Sequence, residues 1–366
     1  MPTGINIADT FVQVGEVYEQ NKFVPEAKGH FIDKFVLSDK TYNPNGNQVM
    51  VSRELAVRGI AKDTGRNDFG KGVDPVSYEE ILYTIPSHNQ SDLITQDELE
   101  KKRVGQNPYI PVSQEEQAMR IVLEKSKSHI AKITRTKDLM SINALTLGKL
   151  EFENNKSLDF GFWSGHKITP ATLWSNATSD PIKDLDAMHV LLHKDGITTD
   201  FSTYMGASAY YSFIYNEKVK SYMKDHIYGI VPAPIKTVAT NSNGLQEYDP
   251  IVLPSGLLLK IKVYNEYYDI FNAASNRVGS QSIFPDKKVL VLGNDAPLIR
   301  ARGSYAVLPE NLRPKNMISS PVSINNGEYL QFVEAVDITS FRIVTLSCEA
   351  PVPVSMDRVG VIEPLV

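Results

Sequence analysis

The chain has 366 residues, of which 42% are hydrophobic and 9% aromatic, a formal net charge of -5, and one cysteine, Cys348. That is chain enough for two compact domains, or for one domain with long extensions, and it carries the apolar content of a sizeable core. It excludes an intrachain disulfide framework, a multi-cysteine zinc site, and a protein that grips nucleic acid through a basic face.

Residues 1–42 show no clear hydrophobic period. They predict an extended arm with a short strand near Lys34–Leu37. The start of the chain has no basic segment followed by an apolar run, and no stretch approaches the ~20 apolar residues of a membrane helix. The expectation is a soluble protein made in a reducing cytoplasm, with no membrane partner.

Asn43-Pro44-Asn45-Gly46 is a turn, and Asn-Gly is the strongest short hairpin signal. After it Val49, Val51, Leu55 and Val57 fall on alternate positions, with Arg53 the exception. Alternation returns at Ile81, Tyr83 and Ile85, before Pro86. Between them, residues 62–75 are rich in Gly, Asp and Asn. The pattern predicts a two-stranded ribbon with a flexible tip inside residues 43–110. A lone hairpin is marginal in water, so this one needs a surface to lie on, and a neighbouring subunit is the expected one. The expected contact residues are Val49, Val51, Gly65, Gly70, Gly72, Ile81 and Tyr83.

Ser113 and Glu116 have the spacing of a capping box. Met119, Val122, Leu123, Ile130 and Ile133 follow at helical spacing, and Leu139, Ile142 and Leu145 resume it. Gly148 is a natural stop. A helix of ~30 residues would be ~45 Å long, a spine across the molecule, with a break expected near Thr134–Asp138. Strands are then predicted at Leu150–Glu153 and Leu158–Phe160. Asp180-Pro181 opens a helix that Gly196 ends. A third helix is predicted over Ser208–Lys224, then strands at Leu257–Tyr264, Val289–Leu292, Gln331–Val336 and Phe341–Ser347. This order is α+β, not the alternation of a doubly wound sheet.

Motifs for chemistry come close and fail. Gly65 to Lys71 follows a phosphate loop for seven positions, but Gly72 stands where a magnesium-binding hydroxyl is required. His189 and His193 are four apart on one helix, yet Val190 replaces the general base and no third ligand is evident. They read as polar residues of a half-exposed helix. Asp184 and Asp186, like Glu115 and Glu116, are too close in the helix to act together and read as solvated charge. A catalytic Cys348 would need a base and an electropositive setting, which a sequence does not show. The reading predicts no catalytic residue, no cofactor and no metal.

Several segments resemble one family in the same order. Thr134-Arg135-Thr136-Lys137-Asp138-Leu139-Met140, running on to Leu147-Gly148-Lys149, resembles the spine-helix end of the lambda-type major capsid proteins of tailed bacteriophages. Leu158-Asp159-Phe160-Gly161, and Trp174 followed by Asp180-Pro181-Ile182, are similar to that family's next strand and helix start. Tyr264 with Tyr268, Ile283-Phe284-Pro285-Asp286-Lys287, and the ending Glu349-Ala350-Pro351-Val352-Pro353-Val354 resemble its second lobe and close. The resemblance runs from about residue 130 to the C-terminus; the first 110 residues match in layout alone.

The resemblance implies a Hong Kong 97-type (HK97-like) phage capsid fold. Residues 1–42 would be the arm, 43–110 the extended β-ribbon loop, and 111–180 the spine helix with the start of the peripheral domain. Residues 181–310 would be mainly the axial domain, and 311–366 the return to the peripheral domain. It implies hexamers and pentamers closing into an icosahedral shell around double-stranded DNA, without sequence-specific binding. Separate scaffold, portal and decoration proteins are expected. No motif sets a lysine and an asparagine for isopeptide cross-linking, so assembly is expected to be non-covalent. Rival readings are an encapsulin-like nanocompartment shell, an enzyme with an unrecognised site, and a tail or decoration protein.

Overall fold

The computed structural model describes residues 29–37, 48–55, 77–100, 114–151, 157–163, 165–196, 200–226, 237–240, 245–271, 277–305, 319–337 and 339–365. Residues 48–55, 77–83, 114–116, 225–226 and 237–240 are described by backbone alone. Most of the arm, the ribbon tip with the Gly65–Lys71 motif, and Ser113 of the capping box lie outside the described residues.

The predicted ribbon forms. Gln48–Leu55 pairs antiparallel with Ser77–Thr84, and among the described residues these two strands pair with no others. The register sets Val49 opposite Tyr83 and Val51 opposite Ile81. By the two-residue period these four positions share a face. Arg53, the exception to the apolar alternation, stands opposite Glu79. The ribbon ends at Thr84, and Ile85 is already buried in the main core. His88–Thr95 then forms a strand that no apolar alternation announces.

The spine helix spans Gln114–Leu147, 34 residues, or about 51 Å at 1.5 Å per residue. The break expected near Thr134–Asp138 is absent. Threonine is a weak helix former because it loses rotamer freedom, but both hydroxyls are bonded without breaking the helix, Thr134 across to the sheet and Thr136 back to its own helix. The Thr134 hydroxyl meets the Tyr329 hydroxyl at 2.9 Å, and the Thr136 hydroxyl donates to the Lys132 carbonyl at 3.1 Å. Gly148 ends the helix at φ +69, and a Cβ there would lie 2.6 Å from the Phe162 ring. The following strands are Lys149–Glu151 and Ser157–Asp159, a short hairpin.

The N-terminal half of the spine packs on a four-stranded sheet, in the order Val322–Ile324, Tyr329–Ala335, Ser340–Ser347, His88–Thr95. Ile121 and Val122 meet Ile94, Val333, Phe341 and Ile343 there. A polar seam runs beside that core. Gln331 bridges Ser126 and Thr345, and His129 Nδ1 lies 3.0 Å from the Thr345 hydroxyl. The C-terminal half enters the main core through Ile142, Ala144 and Leu145.

The second lobe is built on a seven-stranded mixed sheet. Its order is Lys167–Ile168, Val359–Ile362, Val289–Gly293, Phe201–Met205, Ile261–Tyr264, Leu245–Tyr248, Thr237–Thr240. Helix Pro181–Gly196 covers it, capped by Asp180, whose Oδ1 accepts the Lys183 N–H at 3.2 Å. The single helix expected over Ser208–Lys224 is two, Ala207–Tyr215 and Glu217–His226. Asn216 divides them. Its backbone is extended, and its Oδ1 accepts the N–H of Lys218 at 2.9 Å, so it caps the second helix. A three-stranded sheet, Val36–Leu37, Leu298–Arg302 and Glu349–Pro353, ties the arm to both ends of the C-terminal region.

Candidate functional site

The residues considered for chemistry are placed by packing. His189 is fully buried and not half-exposed as expected. Its Nδ1 lies 2.7 Å from the Leu185 carbonyl and its Nε2 3.3 Å from the Thr203 hydroxyl, and burial lowers its pKa. His193 is exposed. Asp184 is not simply solvated: its Oδ2 accepts the Trp174 indole N–H at 2.9 Å, and burial raises its pKa. Cys348 is buried and its thiol is pushed by burial up to about 11, the reverse of an activated nucleophile. Among the described residues no group of three or more His, Cys, Asp or Glu could hold a metal ion, and no helix is long and apolar enough to cross a membrane.

What the fold does build is a set of anchors that hold its extensions. Asp138, on the spine, takes hold of the arm. Its Oδ1 accepts the backbone N–H groups of Phe31 at 2.7 Å and Ile32 at 3.0 Å, and its Oδ2 accepts the Tyr264 hydroxyl at 2.9 Å. Phe31 then packs among Tyr204, Tyr264 and Phe284, with ring centroids 4.8, 5.4 and 5.8 Å away. Burial pushes the Asp138 carboxyl up to about 6, against the pull of its hydrogen bonds from Ile32, Tyr264 and Phe31.

This fixes a pH dependence. The folded chain holds the Asp138 proton more tightly than the unfolded chain, whose carboxyl titrates near 3.8. The contribution is therefore full below that value and is lost as pH rises through about 6. Asn fits the same site: its oxygen can accept both N–H groups, and its amide can donate to Tyr264. Asp138→Asn should gain about 2–3 kcal/mol relative to wild type between pH 4 and pH 7. Urea unfolding of both proteins across that range checks this; parallel pH profiles would count against it.

The neighbouring Lys137 is fully buried and anchors the spine to the sheet. Its Nζ lies 2.8 Å from Glu349 Oε2, 2.9 Å from Glu328 Oε1, and 4.5 Å from the centre of the Tyr329 ring. Arg302 closes on the other Glu349 oxygen at 2.6 Å. Arg300 lies 3.8 Å from Glu328 and donates to the Ile32 carbonyl at 3.0 Å, so the ion network reaches the arm as well. Burial would push the Glu328 carboxyl up, but Lys137 and Arg300 outweigh it and hold it below its ordinary value.

The ribbon residues named from the sequence come together in part. Val49 with Tyr83 and Val51 with Ile81 are cross-strand pairs, whereas Gly65, Gly70 and Gly72 lie outside the described residues. The sequence reading missed Lys137, Asp138, Arg300, Arg302, Glu328 and Glu349. One signal was present. Ile130, Ile133, Lys137 and Ser141 share the buried side of the spine, and a lysine at such a position calls for a buried partner.

Comparison with known proteins bears on what this frame is for. The model of the family described as phage major capsid protein E matches residues 11–323. No curated protein matches the sequence. Among solved structures, one described as a prophage capsid protein from E. coli CFT073 is 12% identical and superposes with a TM-score of 0.60. The match covers 95% of this chain and 96% of that one. The capsid protein of cyanophage P-SCSP1u is 9% identical, with 92% and 88% covered and a TM-score of 0.50. At such identities the likeness establishes the fold, and the fold is the HK97-like, α+β phage capsid fold that the sequence segments suggested. The family match covers well over half of the chain, and by it the chain belongs to the phage major capsid protein E family.

Proposed function

We propose that this capsid protein assembles as hexamers and pentamers into an icosahedral shell that encloses the double-stranded DNA of a tailed bacteriophage. The family match over residues 11–323 carries the proposal. The ribbon supports it: a two-stranded element that pairs with no other strand among the described residues needs a surface to lie on. Obligate interfaces often bury more than ~2,000 Å², and a subunit of this kind acts through area and not through a pocket. The division into arm 1–42, ribbon 43–110, spine 111–180, axial region 181–310 and peripheral return 311–366 is part of this reading. So are the contacts of Val49, Val51, Gly65, Gly70, Gly72, Ile81 and Tyr83 with a neighbouring subunit.

In this reading the chain is structural and does no catalysis. It assembles in the host cytoplasm, resides in the virion head, and works with a separate scaffold, a portal and a decoration protein. The net charge of -5 suits a container that must not hold its DNA tightly. Electron microscopy of the expressed chain, with scaffold supplied, should show closed shells. Shells from infected cells should contain DNA and run as a single uncross-linked band on a denaturing gel. Monomers alone, or shells filled with a cargo protein, would refute the reading. Replacing Gly65, Gly70 and Gly72 together by Ala should cut shell yield while leaving the melting temperature of the unassembled subunit within a few degrees; normal shells would remove the glycines from the account.

A further inference from the structure

A second hairpin, distant in sequence from the ribbon, also joins no larger sheet among the described residues. Tyr267–Phe271 pairs antiparallel with Arg277–Ser282. The register sets Tyr267 opposite Ser282 and Phe271 opposite Arg277, with an irregularity between Ile270 and Phe271. Its two faces differ. On one face Tyr268 packs against the main core and its hydroxyl donates to Gln281 at 3.0 Å, while its neighbour on that face, Ile270, is 40% exposed. The opposite face carries Tyr267, Asp269 and Phe271, with Val278 at the irregularity. Tyr267 is 52% exposed, Phe271 59% and Val278 67%.

Asp269 and Arg277 pair at 2.8 Å, so the face carries no net charge that would repel an apolar partner. Its three large apolar side chains expose on the order of 350 Å², within the range of the largest apolar patches on soluble monomers, which are often functional. A standard interface takes ~800 Å² from each partner, so the patch supplies close to half of one. Aromatic side chains are the usual anchors of such contacts.

We propose that this bare face of the Tyr267–Ser282 hairpin docks on a second copy of this chain. The inference rests on the shell reading: a subunit that closes into a shell must bury such faces on its neighbours, and a neutral aromatic patch suits a permanent contact between copies.

Buried Cys348 gives the test a low background. Val278→Cys adds an accessible thiol, and wild type serves as the blank for maleimide labelling. Labelling should be fast in unassembled subunits and about tenfold slower or more in intact shells. The double variant Phe271→Ser/Val278→Ser should keep the melting temperature of the subunit and lower shell yield by about tenfold or more. Equal labelling in subunits and shells, slow labelling already in free subunits, or full shell yield from the double variant would each overturn the inference while leaving the shell reading intact. A wild-type chain that forms no shells would remove that reading and this inference with it.

Discussion

Replacing Lys137 by Met should lower the unfolding free energy of the unassembled chain by about 3–5 kcal/mol. The ammonium is fully buried between Glu349, itself without solvent exposure, and Glu328. Methionine fills the space but leaves two carboxylates short of a cation. Arg302 still holds one oxygen of Glu349. Arg300, at 3.8 Å from Glu328, is too far to form a hydrogen bond in place of the one Lys137 makes at 2.9 Å. Breaking a buried pair from one side costs more than the pair contributes, because the desolvated charge remains. The sign of the pH dependence follows from Glu328. Its folded pKa is depressed, so its contribution is present above the ordinary glutamate range and is lost as pH falls through the folded value. The gap between wild type and variant should therefore be full at pH 7 and should narrow in acid. Urea unfolding measures both. In a double-mutant cycle with Glu328→Gln, the two single losses should sum to more than the loss in the double variant. A Lys137→Met protein within ~1 kcal/mol of wild type would mean that the two arginines satisfy the site alone.

Local pattern made part of this architecture readable. Alternation at Val49, Val51, Ile81 and Tyr83 placed both ribbon strands, and the register pairs those same residues. Asp180-Pro181 and Gly148 marked helix ends through cap chemistry, which depends on neighbours in sequence. The strand His88–Thr95 escaped because Ile94 is its one core residue, and the rest reads as a polar loop. The division at Asn216 escaped because an Asn inside an apolar periodic run looks like a helix interior until its side chain is seen capping Lys218. The anchors were the least legible. Lys137 finds Glu328 at a separation of 191 residues and Glu349 at 212, and Asp138 finds Phe31 at 107. No window of sequence contains such a pair. A charged residue on an apolar helix face says that a partner exists, but only the fold says which.

Proline at Ile130 should act on the same spine by a different route, and more globally. Ile130 is fully buried, in contact with Ile133, Ile324 and Tyr329. Proline there removes the helix bond to the Ser126 carbonyl and drives its ring into that group, at a cost of ~3 kcal/mol or more. Removal of the isoleucine side chain from its packed site brings the total to roughly 4–6 kcal/mol. That is a large share of the 5–15 kcal/mol by which domains are usually stable. Its position makes the damage structural as well as energetic. N-terminal to it, Ile121 and Val122 serve the four-stranded sheet; C-terminal to it, Ile142 and Leu145 serve the main core. A rigid helix makes these two cores report to one another, and a kink at residue 130 uncouples them. Ile130→Ala isolates the distinction, since it removes comparable packing but keeps the helix. The alanine variant should lose stability with its helical circular dichroism and its shells intact. The proline variant should lose helical signal, melt in two steps and form no shells. If the two variants behaved alike, packing at Ile130 and not the continuity of the spine would be what the lobes depend on.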